Sequence, residues 1–207
     1  MIPIISTQLP QANTLPCTPG RISAAYIHVD VSPRDLEETY LSAFRATVVE
    51  RHAMSIMCAY NAIDGQAACT NDNLLKEHLC PARGFKGFVV SDCGAIVDVA
   101  KGHHNAPNIL HASVLALQAG TDLSCSTWAP GFNMLAEAVR QKLVPKEAID
   151  QDLERLYTAR FKLGLFDRPG SDPFDAIPLP ANSSEASHAI ALKAAEEAMV
   201  LLNRPPT

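Results

Sequence analysis

The sequence predicts an α/β fold built on parallel strands: an incomplete (β/α)8 TIM-like barrel, followed by a linker and the first helix of another domain. Short apolar runs end near positions 60, 92 and 122, a spacing of roughly 30 residues that matches a βα unit. Each run is followed by an apolar pattern of helical period, and a proline-rich stretch separates these units from one last helical pattern. Eight strands and about 250 residues close such a barrel. Three units in 207 residues do not.

The elements follow in order. Residues 1–28, with Pro3, Pro10, Pro16 and Pro19, read as an irregular lead-in. Ser32-Pro33-Arg34-Asp35 opens a helix, with Ser as N-cap, Pro in the first turn and an acid three residues after the cap. Leu36, Tyr40, Leu41, Phe44 and Val48 then form one stripe. Ser55 to Ala59 is a strand ending in Tyr60-Asn61, with a turn at Asp64-Gly65 and a helix from Asn71 through Leu74, Leu75 and Leu79. Gly87 to Val90 is a second strand ending in Ser91-Asp92, with its helix after Pro107 carrying Ile109, Leu110, Val114, Leu115 and Leu117. The weaker run Gly120 to Ser124 precedes a helix through Met134, Leu135, Ala138 and Val139. A further helix starts at Pro145, carries Ile149, Leu153, Leu156, Tyr157 and Phe161, and stops at Gly164. Residues 29–166 thus form the first domain, 167–183 a linker, and 184–207 the opening helix of a second domain, with Ile190, Ala194, Ala198, Met199 and Leu201 on one side.

Composition narrows the function. An apolar fraction of 47% supports a packed core. The 17 basic and 22 acidic residues give a net charge of −5, which argues against phosphate-backbone binding and so against nucleic acid. No apolar run approaches the ~20 residues of a membrane span. The N-terminal apolar run is too short for a signal peptide and no basic residue precedes Arg21, so compartment stays open. None of Cys17, Cys58, Cys69, Cys80, Cys93 and Cys125 forms a C-x-x-C pair, which removes the usual zinc and redox patterns.

Functional side chains of parallel α/β folds gather at the C-terminal ends of strands. Asp92 passes straight from an apolar strand into a loop, a placement suited to a fixed nucleophile and equally to a structural acceptor. Tyr60 can bond a ligand hydroxyl or simply pack. Asp122 reads better as a loop cap than as a second site carboxylate, and His103, His104 and His111 as exposed loop residues rather than metal ligands. Cys93 and Cys125 both follow strand ends, compatible with a disulfide and equally with two packed thiols. No metal or cofactor is expected.

Met57-Cys-Ala-Tyr-Asn61 and Gly87-Phe-Val-Val-Ser-Asp-Cys-Gly94 resemble glycoside hydrolase family 3, in its β-xylosidase-like branch. Ala119-Gly-Thr-Asp-Leu123, the segment Leu156 to Asp167 and the segment Ala194 to Asn203 agree in order. The resemblance implies a two-domain retaining β-glycosidase, of xylosidase or glucosidase type, acting on β-linked oligosaccharides or glycosides. It maps the nucleophile onto Asp92 and a sugar-subsite tyrosine onto Tyr60. It places the acid/base carboxyl in the second domain, beyond the helix that this chain contains. The family's sugar-binding Arg-His pair is replaced by Ala24-Ala25, and no segment matches its Lys-His strand. The chain is therefore expected to hold the nucleophile half of a glycosidase site, with another chain as a candidate source of the rest. The competing expectation is a catalytically incomplete remnant or assembly module. Intact members are often exported.

Overall fold

The computed structural model describes residues 27–79, 84–126, 130–178, 180 and 183–200, together with the strand Ile4–Ser6. Cys17, Ala24-Ala25, Cys80 and Leu201 to Asn203 lie outside the described residues. Two compact units divide the chain, Met1–Lys162 and Leu163–Thr207.

The first unit is organised on a parallel sheet of β1 (Ile4–Ser6), β3 (Ser55–Cys58) and β6 (Phe88–Ser91), in the order β1-β3-β6. Ser55, Ile56, Cys58, Val89, Val90 and Ser91 are all buried, as expected of short strands covered on both faces. Ile4–Ser6 belongs to the lead-in read as irregular; its backbone instead pairs in parallel with β3. The third apolar run contributes a single parallel bridge, Leu123 to Val90. Both Asp122 N–H and Leu123 N–H donate to Val89 O, at 2.8 and 3.0 Å, and Ser91 N–H donates to Leu123 O at 2.7 Å.

A second, small sheet joins β2 (His28–Val29), β4 (Ala62–Ile63) and β5 (Gln66–Ala67). β2 and β4 run parallel, while β4 and β5 form a hairpin around Asp64 (φ 49°) and Gly65 (φ 81°). Positive φ at both turn residues is what a two-residue hairpin requires. The sequence signals that turn clearly, but two-residue strands are too short to show a period.

Helix α1 (Pro33–Asp35) is capped by Ser32 Oγ, which accepts from Asp35 N–H at 3.1 Å. The helical path then widens, with Leu41 N–H reaching Leu36 O, before α2 (Ser42–Arg45). Its predicted stripe of Leu36, Tyr40, Leu41, Phe44 and Val48 joins the main core with Ile56, Leu74, Leu75 and Val89. Asn71 Oδ1 caps the next helical segment, Asn73–Leu79, by accepting from Leu74 N–H at 3.1 Å.

Helix α3 (Ala95–Lys101) follows β6 at once, where only a loop was expected. Gly94 (φ 95°) starts it without a side-chain cap, and its β-branched residues give little helical signal. Helix α4 (Ile109–Ala119) begins at the Asn108 cap and ends at Gly120 (φ 101°), a left-handed stop. α5 (Leu135–Arg140) packs Leu135 and Ala138 on Val114, Leu117 and Val144 in a second cluster.

Helix α6 (Lys146–Lys162) departs from its apolar reading, because its buried residues are Asp152 and Ala159. Arg155 Nε donates to Asp122 Oδ1 at 2.6 Å, its Nη2 contacts Asp152 Oδ1, and Asp122 Oδ2 accepts from Val89 N–H at 2.6 Å. Asp122 is therefore an internal tie between the third run, β6 and α6. In the second unit, a short turn Pro173–Ala176 precedes α7 (Glu185–Ala198), capped by Ser184. Ile190 and Leu192 of α7 are 71% and 62% exposed.

Burial, then the neighbouring Asp122 charge, raises Asp152 from 3.8 to about 7. The native state thus holds a proton that the unfolded chain releases near pH 4, and this contribution is lost as pH rises through 7. Chemical denaturation should show stability falling by about 1–3 kcal/mol between pH 5 and 8. The Asp152→Asn chain should lose most of that slope; an unchanged slope would remove Asp152 as its source.

Candidate functional site

The register Cys58↔Ser91 brings the C-terminal ends of β3 and β6 level. One residue further, Asp92 N–H donates to Cys58 O at 3.0 Å, which holds the Asp92 backbone beside the end of β3. Asp92 is half-buried, and its Oδ1 accepts from Cys93 N–H at 2.7 Å. Two residues past β3, Tyr60 reaches across so that its hydroxyl donates to Cys93 O at 2.6 Å. Burial raises the Tyr60 phenol above its usual range, with the charge and hydrogen bonding of Asp92 adding to the shift and Asp98 contributing last. The two residues singled out in the sequence therefore meet at one end of the sheet.

The loop carrying Asp92 is tied from the other side. Cys93 and Cys125 form a disulfide with their Cα atoms 4.4 Å apart, which settles the alternative left open by the sequence. Cys125 N–H donates to Ser91 Oγ at 3.0 Å, so the chain after the third run lies along the end of β6. A second disulfide, Cys58–Cys69, joins the end of β3 to the turn after β5.

Three further groups were missed. His103 is only 6% exposed, not a solvent-facing loop residue, because α3 turns the chain back over the strand ends. Its Nε2–H donates to Tyr60 O at 2.6 Å, and its Nδ1 lies 3.4 Å from His28 Nε2. Burial lowers the His103 pKa, favouring the neutral ring. Burial likewise raises Asp98 on α3, with His103 opposing the shift. The available sequence signal was the short spacing of 92, 98 and 103, which acquires meaning only once 95–101 is helical. His104 is exposed, and His111 bonds the Asn108 cap.

Asp122 does not join this group; Val89 N–H and Arg155 occupy its oxygens. Among the described residues no three His, Cys, Asp or Glu side chains gather to hold a metal ion, and no helix is long and apolar enough to cross a membrane. The arrangement offers an anionic oxygen beside a phenol at a strand end, a geometry that can present a nucleophile and orient a hydroxylated ligand. Asp92→Asn should lower the Tyr60 ionisation, read by ultraviolet absorbance at alkaline pH with Tyr60→Phe as reference. The value should stay above the ordinary one, because burial is the larger cause. No shift on removing the Asp92 charge would break the pairing.

Residues 23–159 match the glycosyl hydrolase family 3 N-terminal domain. A xylan 1,4-beta-xylosidase of Xylanibacter ruminicola is 38% identical over 84% of this chain, which covers 20% of that relative. A probable exo-1,4-beta-xylosidase of Aspergillus fumigatus is 36% identical over 87% of the chain and is covered over 24% of its own length. Among solved structures, a family 3 exo-beta-xylosidase in complex with a xylobiose aziridine probe superposes with a TM-score of 0.73 at 29% identity, over 84% of this chain and 23% of that one. A beta-glucosidase from Listeria innocua in complex with glucose gives 0.69 at 28% identity, over 86% and 24%. The chain thus spans about a fifth to a quarter of the length of these relatives. By its own motifs and by these likenesses, the chain belongs to glycosyl hydrolase family 3 and carries that family's N-terminal domain sequence over residues 23–159.

Proposed function

We propose that this chain carries the nucleophile half of a retaining β-glycosidase site, xylosidase-like with glucosidase as the nearer alternative. Asp92 is the nucleophile and Tyr60 a sugar-subsite residue. The observation that carries this is the half-buried Asp92, held at the end of β6 by its N–H on Cys58 O, with the Tyr60 hydroxyl donating to the carbonyl of the next residue, Cys93, at 2.6 Å. The motif likeness at residues 57–61 and 87–94 and the xylosidase names of the curated relatives support the same reading.

In the proposed first step, an Asp92 oxygen attacks the anomeric carbon. The bond to the leaving oxygen breaks, and a glycosyl ester forms on Asp92. A second carboxyl about 5–5.5 Å away gives its proton to the leaving oxygen and later takes one from the water that releases the sugar. In this reading that carboxyl belongs to a domain beyond α7. In the same reading the parallel sheet β1-β3-β6, with its Leu123 bridge, is an arc of a barrel. Residues 29–166 supply its later portion, 167–183 the linker, and 184–207 the entry to a second domain.

A second reading, a catalytically incomplete remnant or assembly module, is favoured by Ala24-Ala25, which stand where the family resemblance places a sugar-binding Arg-His pair. One experiment separates the two. A dinitrophenyl 2-deoxy-2-fluoro-β-xyloside has a leaving group that needs little acid assistance, so it tests the nucleophile by itself. Intact mass spectrometry should show a sugar-sized gain that disappears in Asp92→Asn. Folded protein that takes no label would replace the enzyme reading with the module one.

A further inference from the structure

His103 is a buried titratable side chain bonded to the Tyr60 main chain, and the proposed chemistry finds no use for it. Its neighbours are few and each has a definite role. From the end of β3, the Tyr60 carbonyl oxygen faces Nε2 at 2.6 Å. A carbonyl only accepts, so Nε2 carries the proton. From β2, His28 Nε2 faces Nδ1 at 3.4 Å, the two rings standing edge to face with centroids 5.0 Å apart. With Nδ1 of His103 the acceptor, His28 Nε2–H is the donor, and the tautomers of both rings follow from one carbonyl. From α3, Asp98 presents a carboxyl, and His104 is the next titratable group along the chain.

The backbone supports this inward placement. His104 takes φ 55°, in the left-handed region, so the chain reverses directly after His103 while the His103 ring stays buried. Asn105 then anchors the returning segment on the β4–β5 hairpin, accepting from Ala67 N–H at 2.8 Å and donating to Gly65 O at 3.0 Å. The hairpin, the end of α3 and the end of β3 are thus joined around one imidazole.

We propose that His103 is a positioning residue that holds the Tyr60 main chain through its Nε2–H, with His28 fixing its tautomer, so that the Tyr60 hydroxyl stays on Cys93 O, next to Asp92. This rests on the Asp92 and Tyr60 reading above for its catalytic meaning, but the contact itself does not require a sugar. Protonation of His103 puts a proton on Nδ1 that opposes the His28 N–H. The Nε2–H stays available to the Tyr60 carbonyl, while the contact with His28 that orients the ring is lost. Burial of His103 delays that event to lower pH than for a free histidine.

Two readouts on the full chain test this, with His103→Ala, His103→Gln and the unsubstituted protein compared. The raised Tyr60 ionisation should fall toward its ordinary value in His103→Ala and return in His103→Gln, whose amide N–H can meet the same carbonyl. Labelling of Asp92 by the fluoro-xyloside should slow about 10- to 100-fold in His103→Ala and recover in His103→Gln, as expected when a contact group is misplaced by about 1 Å. The unsubstituted protein should show an acidic limb below pH 6.5 that His103→Gln lacks. Nitrogen-15 spectra of the unsubstituted protein should show a neutral His103 ring with its proton on Nε2 at pH 7. This measurement needs no variant to fold. A proton on Nδ1, or an unmoved Tyr60 in a folded His103→Ala chain, overturns the positioning role. If Tyr60 responds to His103 while no protein takes label, the positioning contact stands and the nucleophile reading fails. If the unsubstituted and His103→Ala chains label equally, the reverse holds.

Discussion

Pairing of β3 with β6 runs from Ser55↔Phe88 to Cys58↔Ser91 and continues for one more bond, Asp92 N–H to Cys58 O. Parallel strands place the same chemical end of each peptide on the same side. A slip of one residue would carry Asp92 away from Tyr60 and turn every buried side chain of β6 to the other face. The register is protected by burial on both faces, where Ile56 and Val89 have core neighbours that polar residues could not replace. Position at the candidate site is therefore a product of packing several residues away from it.

The strand ends are also where unsatisfied backbone accumulates, because a short parallel sheet stops there. Side chains take up the load. Ser91 Oγ receives Cys125 N–H, Asp122 Oδ2 receives Val89 N–H, and Asp92 Oδ1 receives Cys93 N–H. The first two spend a polar side chain on structure, and Asp122 is further occupied by Arg155. Asp92 spends one oxygen on its own loop and leaves the carboxylate facing the Tyr60 phenol. That difference in occupation, more than burial, separates a candidate nucleophile from a tie.

This is also why the sequence was legible in some places and silent in others. Apolar runs and capping residues report on local free energy, so Ser32, Asn71 and Asn108 were readable, and so were the stripe from Leu36 to Val48 and the strands at 55–58 and 88–91. The strand-end placement of Asp92 and Tyr60 was readable because each follows a short apolar run. What stayed hidden depends on partners distant in sequence. β1 is a strand only against β3, and α3 has neither side-chain cap nor strong propensity. His103 looked like a loop residue because its burial is decided by α3 and the β4–β5 hairpin. α6 had the converse problem: apolar residues at helical spacing suggested its buried side, yet Asp152 and Ala159 occupy it.

His103 matters for a reason beyond geometry. Tyr60 lies among negative groups, with Asp92 and Asp98 both acting on its phenol. A cationic imidazole there would lower the energy of both carboxylates, and a nucleophile stabilised in its ground state attacks less readily. A neutral imidazole supplies the same Nε2–H to Tyr60 O without adding that charge. Desolvation shifts the ring further toward its neutral form, and desolvation follows from the seven-residue helix that brings His103 under cover. The length of α3 thus links the packing of the fold to the charge at its strand ends. One extra or missing residue between Gly94 and Gly102 would rotate His103 by about 100° around the helix axis, away from the carbonyl it serves.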